Sequence, residues 1–520
     1  MNVRNTFVNV YAEDSIRLVP RFTLSLGLRY EPYQPWNEIH NREEIFRPSD
    51  FLAGKVSTVY PNAPAGLSFP GDPGFPKGGT GGDYKTLAPR VGFAWDLFGD
   101  HNTSLRGGAG AFYNSRVISQ MMQNTVDENP FSPSISLTTP VGPFSNPYLG
   151  LPPQSTPPFQ LPAPSNFVFP LPISALTFDP SRKFVVPVNY QWNLTMERQL
   201  HSDLLLRLAY AGSRGLHQRR DEQLNPVIYN PGASGPYGNP ALPSNSRRTY
   251  LPNLTSIGME TESGASNYHS LQVTLEKRLS HGFTILGSYT WSKSLDNLPP
   301  GQTLQANGGG DFSMPIYEPG YNRFEYGPSP FDHANVFVAS YVWKIASLDH
   351  ARWYVKQTIG GWQWTGILSA ESGDPLTIYA GKDQSLTNGN DRAIVTGQPY
   401  SSNPCKIVSP CKSWLNTASF SLPLPAATTP AATYATYPFR FGNASKGGLR
   451  GPGLFNWDMG LNKDFPLREQ LALQFRAEFF NALNHANFSD PDSTVSDAGF
   501  GVITTAAAAR VGQLALKLRF

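Results

Sequence analysis

The sequence predicts an all-β chain: an antiparallel transmembrane β-barrel fragment of about 13–14 strands, with short turns at one end and long loops at the other. Three observations carry this. Apolar and polar residues alternate with a period of two over segments long enough to cross a bilayer. Proline is all but excluded from those segments. The connections between them alternate between short and long.

In chain order the predicted strands are 7–14, 22–31, 88–98, 103–114, 190–199, 204–213, 268–279, 283–293, 335–345, 362–372, 455–464, 471–481 and 511–520. Their mean length is about ten or eleven residues, the length that crosses a membrane at a tilt. Within 268–279, Leu271, Val273 and Leu275 share one face, and Ser270, Gln272, Thr274 and Glu276 share the other. Within 190–199, Trp192, Leu194 and Met196 oppose Gln191, Asn193, Thr195 and Glu197. At the end of the chain, Leu514, Leu516, Leu518 and Phe520 oppose Gln513, Lys517 and Arg519. Each is a strand with one apolar and one polar face. We expect Leu271, Val273, Leu275, Leu514, Leu516 and Leu518 to face lipid, and Gln272, Thr274, Gln513 and Lys517 to face the lumen. The segments 250–262 and 375–380 also read as extended.

Proline tests this segmentation without reference to hydrophobicity. The strands cover about a quarter of the chain, yet of 48 prolines only Pro89 falls inside one, as expected where a missing N–H would break the ladder. Short connections such as Gly99-Asp100-His101-Asn102 and Ser280-His281-Gly282 have hairpin-turn chemistry. The long connections are 32–87, 115–189, 214–267, 294–334, 373–454 and 482–510. Loops of that length are foreign to a compact soluble domain and ordinary on the outer side of a barrel. Aromatic residues gather at the strand ends: Tyr30, Tyr113, Tyr190 and Trp291 on the loop side, and Phe22, Trp343, Trp362 and Phe465 on the turn side. Two such girdles suit two water–lipid interfaces.

Composition agrees. Only 15% of residues are charged and 12% are aromatic, with 47 Gly, which suits strands, turns and lipid contact better than a solvated globule. A net charge of +3 supplies no basic field for nucleic acid. No apolar run of 18 residues is present, so no transmembrane helix is expected. The first residues lack the basic and apolar regions of a secretory signal.

At this point the residues acquire a resemblance. Leu24-Ser25-Leu26-Gly27-Leu28-Arg29-Tyr30-Glu31, Ala88-Pro89-Arg90-Val91-Gly92-Phe93, Arg106-Gly107-Gly108-Ala109-Gly110-Ala111-Phe112-Tyr113 and Ser266-Asn267-Tyr268-His269-Ser270-Leu271-Gln272 appear in order. So do Tyr289-Thr290-Trp291-Ser292-Lys293-Ser294, Leu449-Arg450-Gly451-Pro452-Gly453, Phe475-Arg476-Ala477-Glu478-Phe479-Phe480-Asn481 and Leu516-Lys517-Leu518-Arg519-Phe520. Together they resemble the C-terminal part of TonB-dependent outer-membrane receptors of the large Oar-like type. The resemblance implies a receptor barrel in the outer membrane of a Gram-negative bacterium, with lipid and lipopolysaccharide as its surroundings. It implies a small ligand captured at the extracellular loops. TonB would act only through a plug, and neither plug nor signal peptide is recognisable in 1–520. The terminal Leu516, Leu518 and Phe520 resemble the signal read by the barrel-assembly machinery. A complete barrel with both ends periplasmic needs an even strand number. Thirteen strands are what a 22-stranded barrel, as the family implies, retains after losing nine. We therefore expect the chain not to seal by itself.

No catalytic, metal or cofactor constellation emerges. Gly78 to Gly82 and Gly107 to Gly110 match neither a P-loop nor a dinucleotide fingerprint. Asp332-His333, Glu371 with Asp374, and Asp490 with Asp492 read as polar residues facing a wet lumen rather than as acid–base or metal groups. Cys405 and Cys411 are expected to close a disulfide in an oxidising compartment. Arg182, Lys183, Arg214, Arg219, Arg220, Arg247 and Arg248 fall in the long loops, either as solvated charge or as contacts to lipopolysaccharide phosphates or an anionic ligand. The rival readings are a non-transport surface protein, an adhesin or scaffold on the same barrel, and a soluble propeller or lectin. The uneven spacing argues against the soluble fold.

Overall fold

The computed structural model describes residues 3–114, 129–132, 141–150, 163–169, 171–178, 183–228, 248–250, 253–298, 313–346, 352–387, 389–402, 414–425, 428–468 and 471–520. Its framework is one 15-stranded sheet, and thirteen of those strands follow one another along a single path. They are β1 (Val10–Val19), β2 (Phe22–Tyr30), β3 (Leu87–Asp96), β4 (Thr103–Tyr113), β5 (Val188–His201), β6 (Leu204–Gln223) and β7 (Leu254–Ser280). The path continues through β8 (Phe283–Asp296), β9 (Asn335–Lys344), β10 (Trp362–Glu371), β11 (Leu454–Arg468), β12 (Leu471–Phe480) and β13 (Val511–Arg519). Every pairing along it is antiparallel and joins neighbours in sequence. Off the path, Gly327–Pro328 pairs with β8, and Ile173–Phe178 adds in parallel to the outer part of β7.

All thirteen predicted strands are present, with three differences. The first lies at Val10–Val19 rather than 7–14, because its ladder is set by pairing with β2 and by the turn at Pro20-Arg21. The other two differences are in β6 and β7, which run far beyond their predicted ends and form a ribbon projecting past the rest of the sheet. Much of what the sequence presents as loop 214–267 is therefore strand. Out there the lipid no longer enforces alternation, and the ribbon holds charged residues that broke the pattern.

Register explains the two faces. The cross-strand row Ile16, Leu24, Phe93, Gly107, Leu194, Tyr210, Leu271 and Trp291 is largely apolar. The adjacent row, Ser15, Ser25, Gly92, Gly108, Asn193, Ala211, Ser270 and Ser292, is polar or small. Because side chains alternate, the two rows lie on opposite faces. The apolar face presents Leu26, Val91, Leu208, Leu275 and Trp291, each at least 39% exposed. A sheet-wide apolar surface of this kind needs hydrocarbon against it. Leu514, Leu516 and Leu518 lie on this face, opposite Ala477, Phe475 and Leu473, while Gln513 and Lys517 lie on the other with Glu478 and Gln474. The wet face also carries Leu286, Val338 and Ile367, all exposed, so its polarity is incomplete around β8 to β10.

The path is open. Among the described residues β1 pairs only with β2, and β13 only with β12. With odd strand number both edges run from the loop end to the turn end.

The loop-end cap and its acidic cleft

The loop end of the sheet carries a packed cap. One cluster joins Phe46, Leu67 and Phe69 of the 31–86 connection to Phe169 and Ile173 and to Leu254 and Ile257 of the projecting ribbon. A second joins Leu376, Ile378, Ala393, Leu415, Phe420 and Ala444. A third sets Tyr33 against Phe184 and Val186. These clusters give the long connections cores of their own.

Buried charge then fixes how the cap sits. Arg219 on β6 makes a two-pronged contact with Glu260 on β7, and both side chains are almost fully buried. Arg392 meets Glu325 at 2.6 Å, stacks over Phe324 at 4.1 Å and donates to the Phe324 carbonyl at 2.7 Å. Lys446 bonds Asp296 at the top of β8 and donates to the Leu298 carbonyl at 2.5 Å. Burial pulls the Lys446 ammonium pKa down, and the Asp296 carboxylate opposes that pull. Arg450 bonds the carboxylate and carbonyl of Asp332. Ions taken out of water persist only where a partner and further hydrogen bonds replace hydration. Each pair joins segments far apart in sequence and so locks one loop to another or to a strand end.

Beside this frame, at the tops of β9 to β11, lies a cleft of about 400 Å³ lined by His333, Glu371, Asp374, Asn487 and Asp490 among others. His333 Nε2 stands 3.4 Å from Asp374, and its Nδ1 is 2.9 Å from the Ser372 carbonyl. Burial, and then repulsion by Asp374, pushes the Asp490 carboxyl up to about 6, while His333 works the other way. The sequence pairs are thus regrouped. Asp332 turns to Arg450 and leaves His333, Asp492 accepts from the Thr494 amide, and His333, Glu371, Asp374 and Asp490 line one cleft. Among the described residues no three His, Cys, Asp or Glu side chains form a metal-binding group.

The loop arginines need correction. Arg214 lies within β6, and Arg219, Arg220 and Arg248 are buried. Arg220 lies over the Tyr321 ring and donates to Asn322 at 2.5 Å, and Arg248 donates to the Asn225 carbonyl. These three hold the cap together and do not present an open surface to phosphate. Lys183 remains exposed. Arg182, Arg247, Cys405 and Cys411 lie outside the described residues. Leu516, Leu518 and Phe520 project from the edge strand and its end, Phe520 at 97% exposure.

Comparison with known proteins completes this picture. A family model described as an outer membrane beta barrel domain matches residues 1–513. The chain belongs to the outer membrane β-barrel domain family. As such a domain it resides in the outer membrane of a Gram-negative bacterium, with the apolar face just described toward lipid. No curated protein matches it. Among solved structures, the barrel domain is similar to the outer membrane transporter YddB from Escherichia coli, at 13% identity and a TM-score of 0.46, over 98% of this chain and 45% of that one. It is also similar to BauA, the ferric preacinetobactin receptor from Acinetobacter baumannii (11%, TM-score 0.38, 98% and 42%). A third is the FrpB iron transporter from Neisseria meningitidis (11%, TM-score 0.38, 98% and 45%). The barrel domain thus spans less than half the length of these structures.

Proposed function

We propose that this barrel domain is the wall and extracellular cap of a TonB-dependent receptor of the Oar-like type, whose whole protein binds a scarce ligand at the loops and imports it with TonB energy. The observation that carries this reading is the cap itself. Long connections held by hydrophobic clusters and buried ion pairs form a pre-organised surface over a mostly polar inner face, and pre-organisation lowers the entropic cost of capture. The cleft offers carboxylates and one imidazole, groups suited to recognising a polar ligand. Energy for translocation would reach the lumen through a plug outside the residues described.

The test uses the producing bacterium with the gene intact, deleted and restored. Surface binding and accumulation are measured for ferric siderophores, cobalamin, oligosaccharides and peptides, with and without an uncoupler. The expected result is one ligand class that binds without energy and accumulates only with it. Loss of surface attachment on deletion, with uptake of every class unchanged, would favour the adhesin or scaffold reading instead.

A further inference from the structure

The turn-side connection between β9 and β10, residues 345–361, is the longest at that end of the sheet and contains the short helix Trp353–Thr358. Two wall residues hold this segment. Trp362 Nε1 donates to the Thr358 carbonyl at 2.7 Å. Lys463 Nζ donates to the Gly360 carbonyl at 2.5 Å and the Lys356 carbonyl at 3.3 Å. Trp362 and Lys463 are direct cross-strand partners, and Lys463 also stands opposite Phe475. That places both on the lipid-facing side of the wall, two residues from Trp364 and Leu461. Residues 352–361 are therefore folded outward over the apolar face, not into the lumen.

This geometry also accounts for a lysine on a mostly apolar face. Lys463 is 3% exposed, with the Trp362 and Phe465 rings 5.3 and 5.1 Å from its ammonium. The last carbonyls of a helix have no donor within the helix, and here the ammonium supplies one. On its open side the segment exposes Tyr354 (46%) and Ile359 (60%). Its charged residues over 352–361 are Arg352 and Lys356, both basic and both exposed. It adjoins the turn-side girdle, where Trp343 and Trp364 pack 6.1 Å apart.

We infer that residues 352–361 lie in the phospholipid head-group layer of the periplasmic leaflet, clamped to the wall by Lys463 and Trp362, and that they fix the depth of the wall in the membrane. Basic residues beside tyrosine and an apolar side chain suit that layer, where phosphate meets acyl chain. The outward fold makes the segment continuous with a surface already in lipid, which favours lipid over a periplasmic protein as its partner.

The test is a fluorophore attached at Tyr354→Cys in a Cys405→Ser, Cys411→Ser background, read in outer-membrane fragments doped with nitroxide-labelled phosphatidylcholine. Labels at Leu516→Cys and Asp100→Cys supply the lipid-wall and aqueous-turn references. The expected result is quenching at position 354 by head-group nitroxide and loss of the iodide quenching seen at position 100. Adding Lys463→Met should return the 354 label to iodide while the 516 label stays lipid-quenched. Iodide quenching at 354 equal to that at 100 would overturn the proposal. So would protection from both quenchers, which marks a protein partner. An unchanged signal after Lys463→Met would overturn the clamp.

Discussion

At the scale of single residues, the face assignment carries the sharpest energetic consequence. Val273 lies opposite Leu208 and Tyr289 on the lipid side, and Gln272 lies opposite Ala209 and Thr290 on the wet side. Val273→Arg should cost about 2–4 kcal/mol if the site lies near the bilayer midplane, and Gln272→Arg far less. Denaturant unfolding in lipid compares the two, and an equal cost would defeat the assignment. Asp490 gives a test by pH. Its carboxyl is raised to about 6 by burial and by Asp374, above its ordinary unfolded range. Between pH 4 and 6 the folded cleft therefore holds a proton that the unfolded chain has released, and stability falls as pH rises through that window. Asp490→Asn should flatten this dependence, as hydrogen exchange of the 482–510 connection would report. The wet-face position of Gln272 could be read from alternation alone, but the meeting of Asp490 with His333 and Asp374 could not. Those residues come from three connections, and only the folded loops bring them together.

At the scale of elements, alternation was legible wherever lipid enforces it and faded where water replaces lipid. Strands β2, β4 and β12 were readable almost to their ends. The outer halves of β6 and β7 were not, because Arg219, Arg220, Glu260 and Glu262 interrupt the pattern, and Arg219 pairs with Glu260 across the ribbon. The cap elements depend on such pairs. Removing one partner of a buried pair strands the other, at a cost of about 3–5 kcal/mol. Glu325→Ala should therefore loosen the contacts around Arg392 and open the 373–454 connection to limited proteolysis, with the sheet left intact. The turns were legible for a simpler reason. Gly282 has φ +78, and a Cβ there would stand 2.4 Å from the Lys344 carbonyl oxygen. Gly282→Ala should destabilise the β7–β8 hairpin by at least ~1 kcal/mol, measured as a lower denaturant midpoint.

At the scale of the whole molecule, strand number governs behaviour. Thirteen strands alternating in direction leave β1 and β13 parallel to one another, and among the described residues both edges of the sheet are unpaired. A second copy in the same membrane orientation does not help, since every edge it offers runs the same way. Antiparallel closure needs an odd number of further strands between the two edges. Unpaired backbone groups in hydrocarbon cost several kcal/mol each, so the 520-residue chain alone should not settle as a sealed barrel. Parity follows from counting strands in the sequence, whereas the absence of a compensating rearrangement needed the sheet pairing. The most direct test folds the purified 520-residue chain in lipid and measures heat-modifiable gel mobility together with protease resistance. The account predicts no compact heat-modifiable species and progressive digestion from the exposed edges. A compact, protease-resistant barrel formed by this chain alone would contradict it.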